Sequence, residues 1–220
     1  RGGANTLDRA NIFAAVEGSL QRLQTDYIDV YQLHWPGRST NFFGKLGYAP
    51  SHDNDGTPLE ETLDVLADVV KSGKARQVGV SNESAWGTMR YLALAEAGRG
   101  PRMASVQNAY SLLNRSFEVG LAEVAAREQC GLLAYSPLGF GTLTGKYDAA
   151  GFGAAVDIGR MTRFEAFRKQ RWGRPETLDA ARLEELARGA EFTWTGGERL
   201  RETGRKLSQF GKVKKVDAPA

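Results

Sequence analysis

Cysteine and histidine are scarce in this chain of 220 residues, which contains one cysteine and two histidines. The single cysteine, Cys130, has no second thiol with which to form a disulfide, and a metal site built from several thiolates is excluded for the same reason. Two histidines are also too few for a metal cage made of imidazoles alone. We therefore expect no disulfide framework and no metal site.

Long apolar runs are absent as well. No run approaches the ~18 residues that a membrane-spanning helix requires, and the Arg-Gly-Gly-Ala sequence at residues 1–4 lacks the apolar core of a secretory signal. We expect no membrane insertion and a cytoplasmic location.

An excess of charge of one sign is confined to the end of the chain. The formal net charge is +3, and the whole excess lies in residues 191–220, whereas residues 1–190 are balanced. Because no stripe of lysine and arginine alternates with aromatic residues, we expect no binding of nucleic acid. The content of 41% apolar and 25% charged residues is that of an ordinary globular protein.

What the sequence does contain is an alternation of short apolar strands with amphipathic helices. A helix should begin after Asp8, and Thr57 with Glu60 is typical of a capping box that starts another helix at Pro58. Alternating strands and helices predict parallel strands joined by right-handed crossovers, which is the α/β class. The predicted strands are residues 27–33, 75–80, 103–106 and 131–136, with a helix at 117–129 before the last of them.

This pattern leaves two architectures open, a closed (β/α) barrel and an open doubly wound sheet. Each predicted strand carries polar or aromatic side chains at its carboxyl end, namely His34, Ser81-Asn82, Gln107-Asn108 and Tyr135-Ser136. An open sheet concentrates its chemistry at one switch point, whereas a barrel distributes it around one rim. The distribution therefore favours a barrel.

Each of these positions has a chemical and a purely structural interpretation. His34 can donate a hydrogen bond to a developing oxyanion, or it can pack beneath the loop that follows it. The side-chain amides of Asn82 and Gln107 can bind an amide group of a ligand, or they can stabilise turns. Tyr135 can stack on a flat ring or fill the core.

A glycine-rich segment, Gly139-Phe-Gly-Thr-Leu-Thr-Gly-Lys146, follows the fourth predicted strand. Its spacing matches neither the dinucleotide fingerprint nor the phosphate loop of nucleotide-binding proteins. Backbone N–H groups in such a turn can nevertheless hold a pyrophosphate, and the alternative is a plain flexible turn.

Four segments occur along the chain in a specific order: DYIDVYQLHWP at residues 26–36, GKARQVGVSN at 73–82, SVQNAY at 105–110 and LAYSPL at 133–138. This pattern resembles the aldo-keto reductase family. The long loop after His34 and the LTGKY segment at 143–147 are similar to the branch of bacterial Tas-type reductases and potassium-channel β-subunits. The resemblance covers residues 1 to about 188.

The resemblance implies an α/β fold, part of a (β/α)8 TIM barrel holding roughly strands 4 to 7, and NADP(H)-dependent reduction of an aldehyde or ketone to an alcohol. In this family pattern His34 contacts the carbonyl oxygen of a small carbonyl substrate, and Tyr135 stacks on the nicotinamide. The resemblance leaves open whether the protein is a homo-oligomer. The other implied cofactor contacts are Ser81, Asn82 and Gln107 to the carboxamide, and Ser136, Leu138, Gly141 and Lys146 to the pyrophosphate.

The sequence departs from the family pattern at both ends. The family's proton-donating tyrosine, with its lysine and aspartate, belongs to the first three barrel strands, which have no counterpart here. Tyr31 lies three positions before His34, so its side chain should point to the other face of the strand. We expect residues 1–188 to form a partial barrel domain and residues 189–220 an irregular basic tail. The choice of NADP over NAD rests on the resemblance alone.

Three functional interpretations stay open. The chain is an incomplete piece of a reductase that is inactive alone, a non-catalytic nicotinamide-binding regulatory module like a channel β-subunit, or an inactive truncated product. The missing tyrosine favours the second and third, whereas the intact His34 and nicotinamide segment favour the first.

Overall fold

The computed structural model describes residues 6–41, 48–50 and 56–144. Four parallel strands form one sheet in chain order: β1 is Ile28–Leu33, β2 is Ala75–Ser81, β3 is Met103–Ala109 and β4 is Gly131–Tyr135. The helices that alternate with them are α1, Arg9–Leu23; α2, Leu59–Lys71; α3, Ala85–Glu96; and α4, Leu121–Arg127. The predicted α/β class is confirmed, and the arrangement is that of a partial (β/α)8 barrel.

Side chains cap two of the helices, α1 at the predicted residue Asp8 and α3 at Ser84. The Asp8 carboxylate accepts a hydrogen bond from the N–H of Asn11 at 2.9 Å, and the Ser84 hydroxyl accepts one from the N–H of Gly87 at 3.1 Å. Helix α2 differs, because Pro58 occupies the cap position and no side chain caps the helix. The predicted capping box at Thr57 is therefore wrong, and the helix begins one residue later than expected.

The core lies between the helices and one face of the sheet. Every helix from α1 to α3 presents an apolar stripe towards the strands. The central members, all 2% exposed or less, are Val16, Leu63, Leu66, Val69, Val78, Val80, Leu92 and Val106. Removing such a side chain leaves a cavity and destabilises a domain by roughly 2–5 kcal/mol.

The third strand is longer than the sequence indicates, and the following helix is shorter. Strand β3 continues to Ala109 because its last residues pair with β4, with Ala109 opposite Tyr135. Residues Ser116–Glu118 form a 3-10 turn, and Gly120, with a φ of 84°, separates that turn from α4. Gln107 consequently lies within the strand rather than in the loop behind it.

The described residues fall into two compact units. Those of the first unit lie within Arg1–Ala109 and Ser116–Tyr135, and they include the sheet and the four α-helices. The second unit includes Tyr110–Arg115 and the described residues from Ser136 onward. The predicted boundary at residue 188 lies outside the described residues and stays a prediction.

Candidate active site

The carboxyl ends of the four strands carry the residues that the sequence analysis singled out. Because parallel strands all end at the same edge of a sheet, His34 after β1, Ser81 at the end of β2, Gln107 in β3 and Tyr135 at the end of β4 share one edge. The register aligns Ser81 with Gln107 directly.

Asn82 is the centre of the hydrogen bonds at this edge. Its side-chain Nδ2 donates to the main-chain oxygen of His34 at 2.8 Å and to the Ser81 hydroxyl at 3.2 Å. Its Oδ1 accepts from the Tyr135 hydroxyl at 2.7 Å, and its main-chain N–H donates to the oxygen of Gln107 at 3.0 Å. One buried residue thus connects the ends of all four strands.

The backbone of Asn82 has a φ of 53°, in the left-handed region that few side chains other than asparagine adopt readily. The residue is 6% exposed, so the hydrogen bonds that hold its side chain are shielded from water. These contacts fix the amide before any ligand arrives.

Gln107 differs from Asn82 in what its side chain contacts. Its main-chain oxygen accepts hydrogen bonds from the Ser81 hydroxyl at 2.8 Å and from the N–H of Asn82. Within the part of the chain that the structure describes, its side-chain amide makes no hydrogen bond. The residue is half-buried, so this amide remains accessible to a ligand at the edge.

His34 is exposed directly after β1, and its ring lies 4.4 Å from that of Trp35, tilted by 38°. The main-chain oxygen of His34 is held by Asn82, which fixes the point from which the imidazole projects. A histidine placed in this way can donate a hydrogen bond to a substrate oxygen.

Tyr31 lies on the other face of the sheet, as its spacing from His34 predicts. It is opposite Val78 in the β1–β2 register, and Val78 is fully buried beneath the helices. Burial raises the pKa of the Tyr31 phenol above its usual value. A phenol that is harder to ionise, on the wrong face, is not a substitute for the family's proton donor.

In the second unit, Gly139–Thr144 forms a 3-10 turn that is kinked at Phe140 and Gly141, whose φ angles are 55° and 96°. The N–H of Gly139 donates to the oxygen of Ser136 at 2.8 Å, and that of Gly141 donates to the oxygen of Leu138 at 2.9 Å. These two donors serve the turn itself in this conformation.

Three further expectations concern Lys146, metal binding and membrane insertion. Lys146 lies outside the described residues. Across residues 6–41, 48–50 and 56–144, no three His, Cys, Asp or Glu side chains are grouped so that they could hold a metal ion. The helices in those same ranges include none with the length and apolar content needed to cross a membrane.

The sequence analysis missed two residues that support this edge, Arg38 and Glu83. Glu83 and Asn108 form a reciprocal pair, since the N–H of Glu83 donates to Asn108 Oδ1 at 3.2 Å and Asn108 Nδ2 donates to the oxygen of Glu83 at 2.9 Å. Arg38 forms an ion pair with Glu83. The available signal was a carboxylate next to Asn82 and an arginine four residues after His34, but nothing local indicates that they pair.

Comparison with known proteins extends these observations. Protein tas of Escherichia coli (strain K12) is 61% identical over 141 residues, which are 64% of this chain and 41% of that protein. An aldo-keto reductase of Babesia bovis is 40% identical over 177 residues, or 76% of this chain and 61% of the relative.

A crystal structure of an aldo/keto reductase from Klebsiella pneumoniae, in complex with NADP and acetate, is 31% identical to this chain. The match covers 64% of this chain and 41% of that structure, with a TM-score of 0.48. The chain spans about two fifths to three fifths of the length of these proteins. The sequence profile of the aldo/keto reductase family matches residues 2–191, and the chain therefore belongs to that family.

Proposed function

We propose that this chain holds the nicotinamide end of NADP(H) at the carboxyl edge of its sheet, for the reduction of an aldehyde or ketone to an alcohol. The observation that carries the proposal concerns two amides at this edge. Within the described residues the half-buried Gln107 makes no side-chain hydrogen bond, and its main chain is bonded to Asn82, whose amide is fixed. Family membership supports the reaction class. The activity of the whole protein and the cytoplasmic location stay proposals.

The residues present fit a nicotinamide carboxamide. Gln107 offers both a donor and an acceptor, which complement the two polar atoms of a carboxamide. Asn82 Oδ1 accepts one hydrogen bond from Tyr135, and a carbonyl oxygen has a second lone pair for a ligand N–H. The Ser81 hydroxyl supports the site because it accepts a hydrogen bond from the Asn82 side chain and donates one to the main-chain oxygen of Gln107.

Tyr135 and His34 have different proposed roles. The hydroxyl of Tyr135 is anchored to Asn82, so its ring has a fixed orientation and can stack on the nicotinamide. His34 donates a hydrogen bond to the carbonyl oxygen of the substrate, where negative charge develops during reduction. NADPH, when bound, supplies the hydride, and a proton must reach the same oxygen to complete the alcohol.

The described residues leave the source of this proton unassigned. The two lysines among them are Lys71, which ends α2, and Lys74, which precedes β2, so both lie at the opposite edge of the sheet from His34. No tyrosine–lysine pair therefore accompanies His34 in the ranges that the structure describes. We propose that the proton donor belongs to a part of the whole protein outside those ranges.

The contacts to the pyrophosphate are proposed from the family pattern alone. Ser136, Leu138, Gly141 and Lys146 are the residues assigned to it. Since the N–H of Gly141 is engaged with Leu138, the proposed contribution of Gly141 is close approach of its backbone, which the missing side chain permits. The preference for NADP over NAD is part of the same proposal.

The test is a fluorescence titration of the purified chain with NADPH. Gln107→Leu should weaken binding by about tenfold, because two hydrogen bonds worth ~0.5–1.5 kcal/mol each are lost. The matched control is Gln77→Leu, an exposed glutamine in β2 four residues before Ser81, about 13 Å away along the strand. Absence of NADPH binding by the unaltered chain, or equal effects of the two variants, would contradict the proposal.

The same preparation distinguishes a reductase from the regulatory alternative. Oxidation of NADPH with a reactive aldehyde, measured as the loss of its absorbance, indicates catalysis by the chain itself. NADPH binding without turnover supports either a regulatory module or a piece that requires the rest of the protein. A longer product that includes the first three strands of the family's barrel separates those two, because only an incomplete reductase then gains turnover.

A further inference from the structure

An ion pair lies directly behind the candidate site. Arg38 Nη1 donates to Glu83 Oε2 at 3.0 Å and Nη2 donates to Oε1 at 2.5 Å, so the two side chains meet in a bidentate arrangement. Their side chains are only 10% and 3% exposed. Removing such a pair from water costs free energy, which is offset only where the two groups meet in good geometry and their remaining polar atoms are hydrogen-bonded.

Glu83 forms hydrogen bonds with Asn108 and Ser84 in addition to its ion pair with Arg38. Its main-chain N–H and oxygen are both held by the side-chain amide of Asn108 in β3. Its Oε1 also accepts a hydrogen bond from the N–H of Ser84, the residue that caps α3. Arg38 in turn donates to the Ser84 hydroxyl at 3.0 Å. The pair therefore joins the loop after β1 to the turn between β2 and α3.

The neighbouring residues leave room for this pair. A Cβ at Gly87 would lie against Glu83 Oε1 and Arg38 Nη2, closer than real Cβ contacts allow. The guanidinium of Arg38 also lies over the ring of Trp86, 4.9 Å from its centroid. The first turn of α3 is thus shaped around the guanidinium and the carboxylate.

We propose that the Arg38–Glu83 pair is a positioning element for the nicotinamide site. Arg38 lies four residues after His34, and Glu83 follows Asn82 directly, so the pair fixes the two segments between which the Asn82–His34 hydrogen bond forms. Without it, the left-handed conformation of Asn82 loses its support on the carboxyl side. This inference rests on the proposed function, because it concerns the same site.

The test compares two ligands. NADPH carries the nicotinamide, whereas 2′,5′-ADP carries only the adenosine end, so a positioning defect at the nicotinamide affects the first and not the second. Arg38→Lys keeps the charge but loses the bidentate fork, and Glu83→Gln keeps the shape but loses the charge. Both should weaken NADPH binding by about tenfold, and the affinity for 2′,5′-ADP should change by less than about twofold.

The matched control is Arg99→Met. Arg99 also forms a bidentate pair, with Asp64 at 3.1 and 2.9 Å, but the two side chains are 46% and 51% exposed and lie between α2 and the end of α3. Removing this pair should leave the affinity for both ligands unchanged. The control shows whether breaking any arginine–carboxylate pair is enough to disturb NADPH binding.

A single substitution can leave a buried charge unpaired and unfold the chain, so a double variant is included. Arg38→Met with Glu83→Leu removes both charges, and buried pairs replaced in this way commonly retain their fold. It should keep the far-ultraviolet circular dichroism of the unaltered chain and still bind NADPH about tenfold more weakly.

Unchanged NADPH affinity in the folded double variant overturns the positioning role while leaving the proposed function intact. Equal weakening of NADPH and 2′,5′-ADP assigns the pair a purely structural role and overturns it as well. If the unaltered chain binds no NADPH, the proposed function itself fails, and the inference fails with it.

Discussion

The hydrogen bond from Tyr135 to Asn82 can be removed with little other change, by Tyr135→Phe. The substitution keeps the ring and deletes the hydroxyl that donates to Asn82 Oδ1 at 2.7 Å. Because Asn82 is 6% exposed, water replaces this donor poorly, and the carbonyl oxygen of the amide is left with an unsatisfied acceptor site. The expected loss in the free energy of unfolding is about 1–2 kcal/mol.

The assay is urea unfolding followed by circular dichroism. With a denaturant slope of roughly 2 kcal/mol per molar urea, the expected loss lowers the midpoint by about 0.5–1 M. The NADPH affinity should also fall, because the ring is no longer fixed in the orientation proposed for stacking. A lowered midpoint with an unchanged slope would indicate that stability changed rather than the compactness of the unfolded chain.

Tyr27→Phe is the matched control for this experiment. Tyr27 is 37% exposed, and the guanidinium of Arg76 lies over its ring, 4.0 Å from the centroid, a contact that the substitution retains. Its midpoint should shift by less than about 0.2 M. If Tyr135→Phe and Tyr27→Phe unfold at the same urea concentration, Asn82 is not anchored in the way the structure indicates, and the reasoning is refuted.

Three other predictions concern separate parts of the chain. In a catalytically active full-length parent, His34→Ala should lower carbonyl turnover by about two orders of magnitude and leave the NADPH affinity within a few fold; equal losses in both would refute its role at the substrate oxygen. Gly79→Ala places a Cβ 2.8 Å from Ser105 Oγ and should lower the melting temperature, whereas Gly131→Ala, with no atom within 4 Å, should not; equal melting temperatures would refute the crowding. Cys130, fully buried and with its thiol pKa raised by burial, should react with iodoacetamide at least roughly tenfold more slowly in native buffer than in urea, as mass spectrometry can measure.

The elements that the sequence predicts correctly are those set by local chemistry. Asp8 starts α1 because its side chain accepts a hydrogen bond from an N–H group three residues on, an interaction contained within one turn. The sequence also predicts strand β1 to within one residue, because β-branched and aromatic residues precede Trp35-Pro36, where a ladder cannot continue. Interactions and residue patterns that span only a few positions can be interpreted without knowledge of the rest of the fold.

The features that the sequence analysis missed depend on distant partners. Strand β3 extends to Ala109 because β4 pairs with it, and β4 lies more than twenty residues further along the chain. The ion pair of Arg38 with Glu83 joins positions separated by 45 residues. Such contacts follow from the register of neighbouring strands, which the alternation of apolar residues does not specify across a sheet.

The candidate site shows the same contrast between what local sequence predicts and what depends on contacts with distant residues. Residue types at strand ends locate the edge, but they do not indicate which polar atoms remain available to a ligand. Asn82 and Gln107 carry the same amide group, yet the first binds His34, Ser81 and Tyr135 while the second makes no side-chain hydrogen bond within the described ranges. Asn82 therefore acts first as the connection that holds the edge together, and Gln107 is the amide that a carboxamide can engage without displacing a contact. For this reason Gln107→Leu should reduce binding with little effect on stability, whereas removing the Asn82 amide should reduce both.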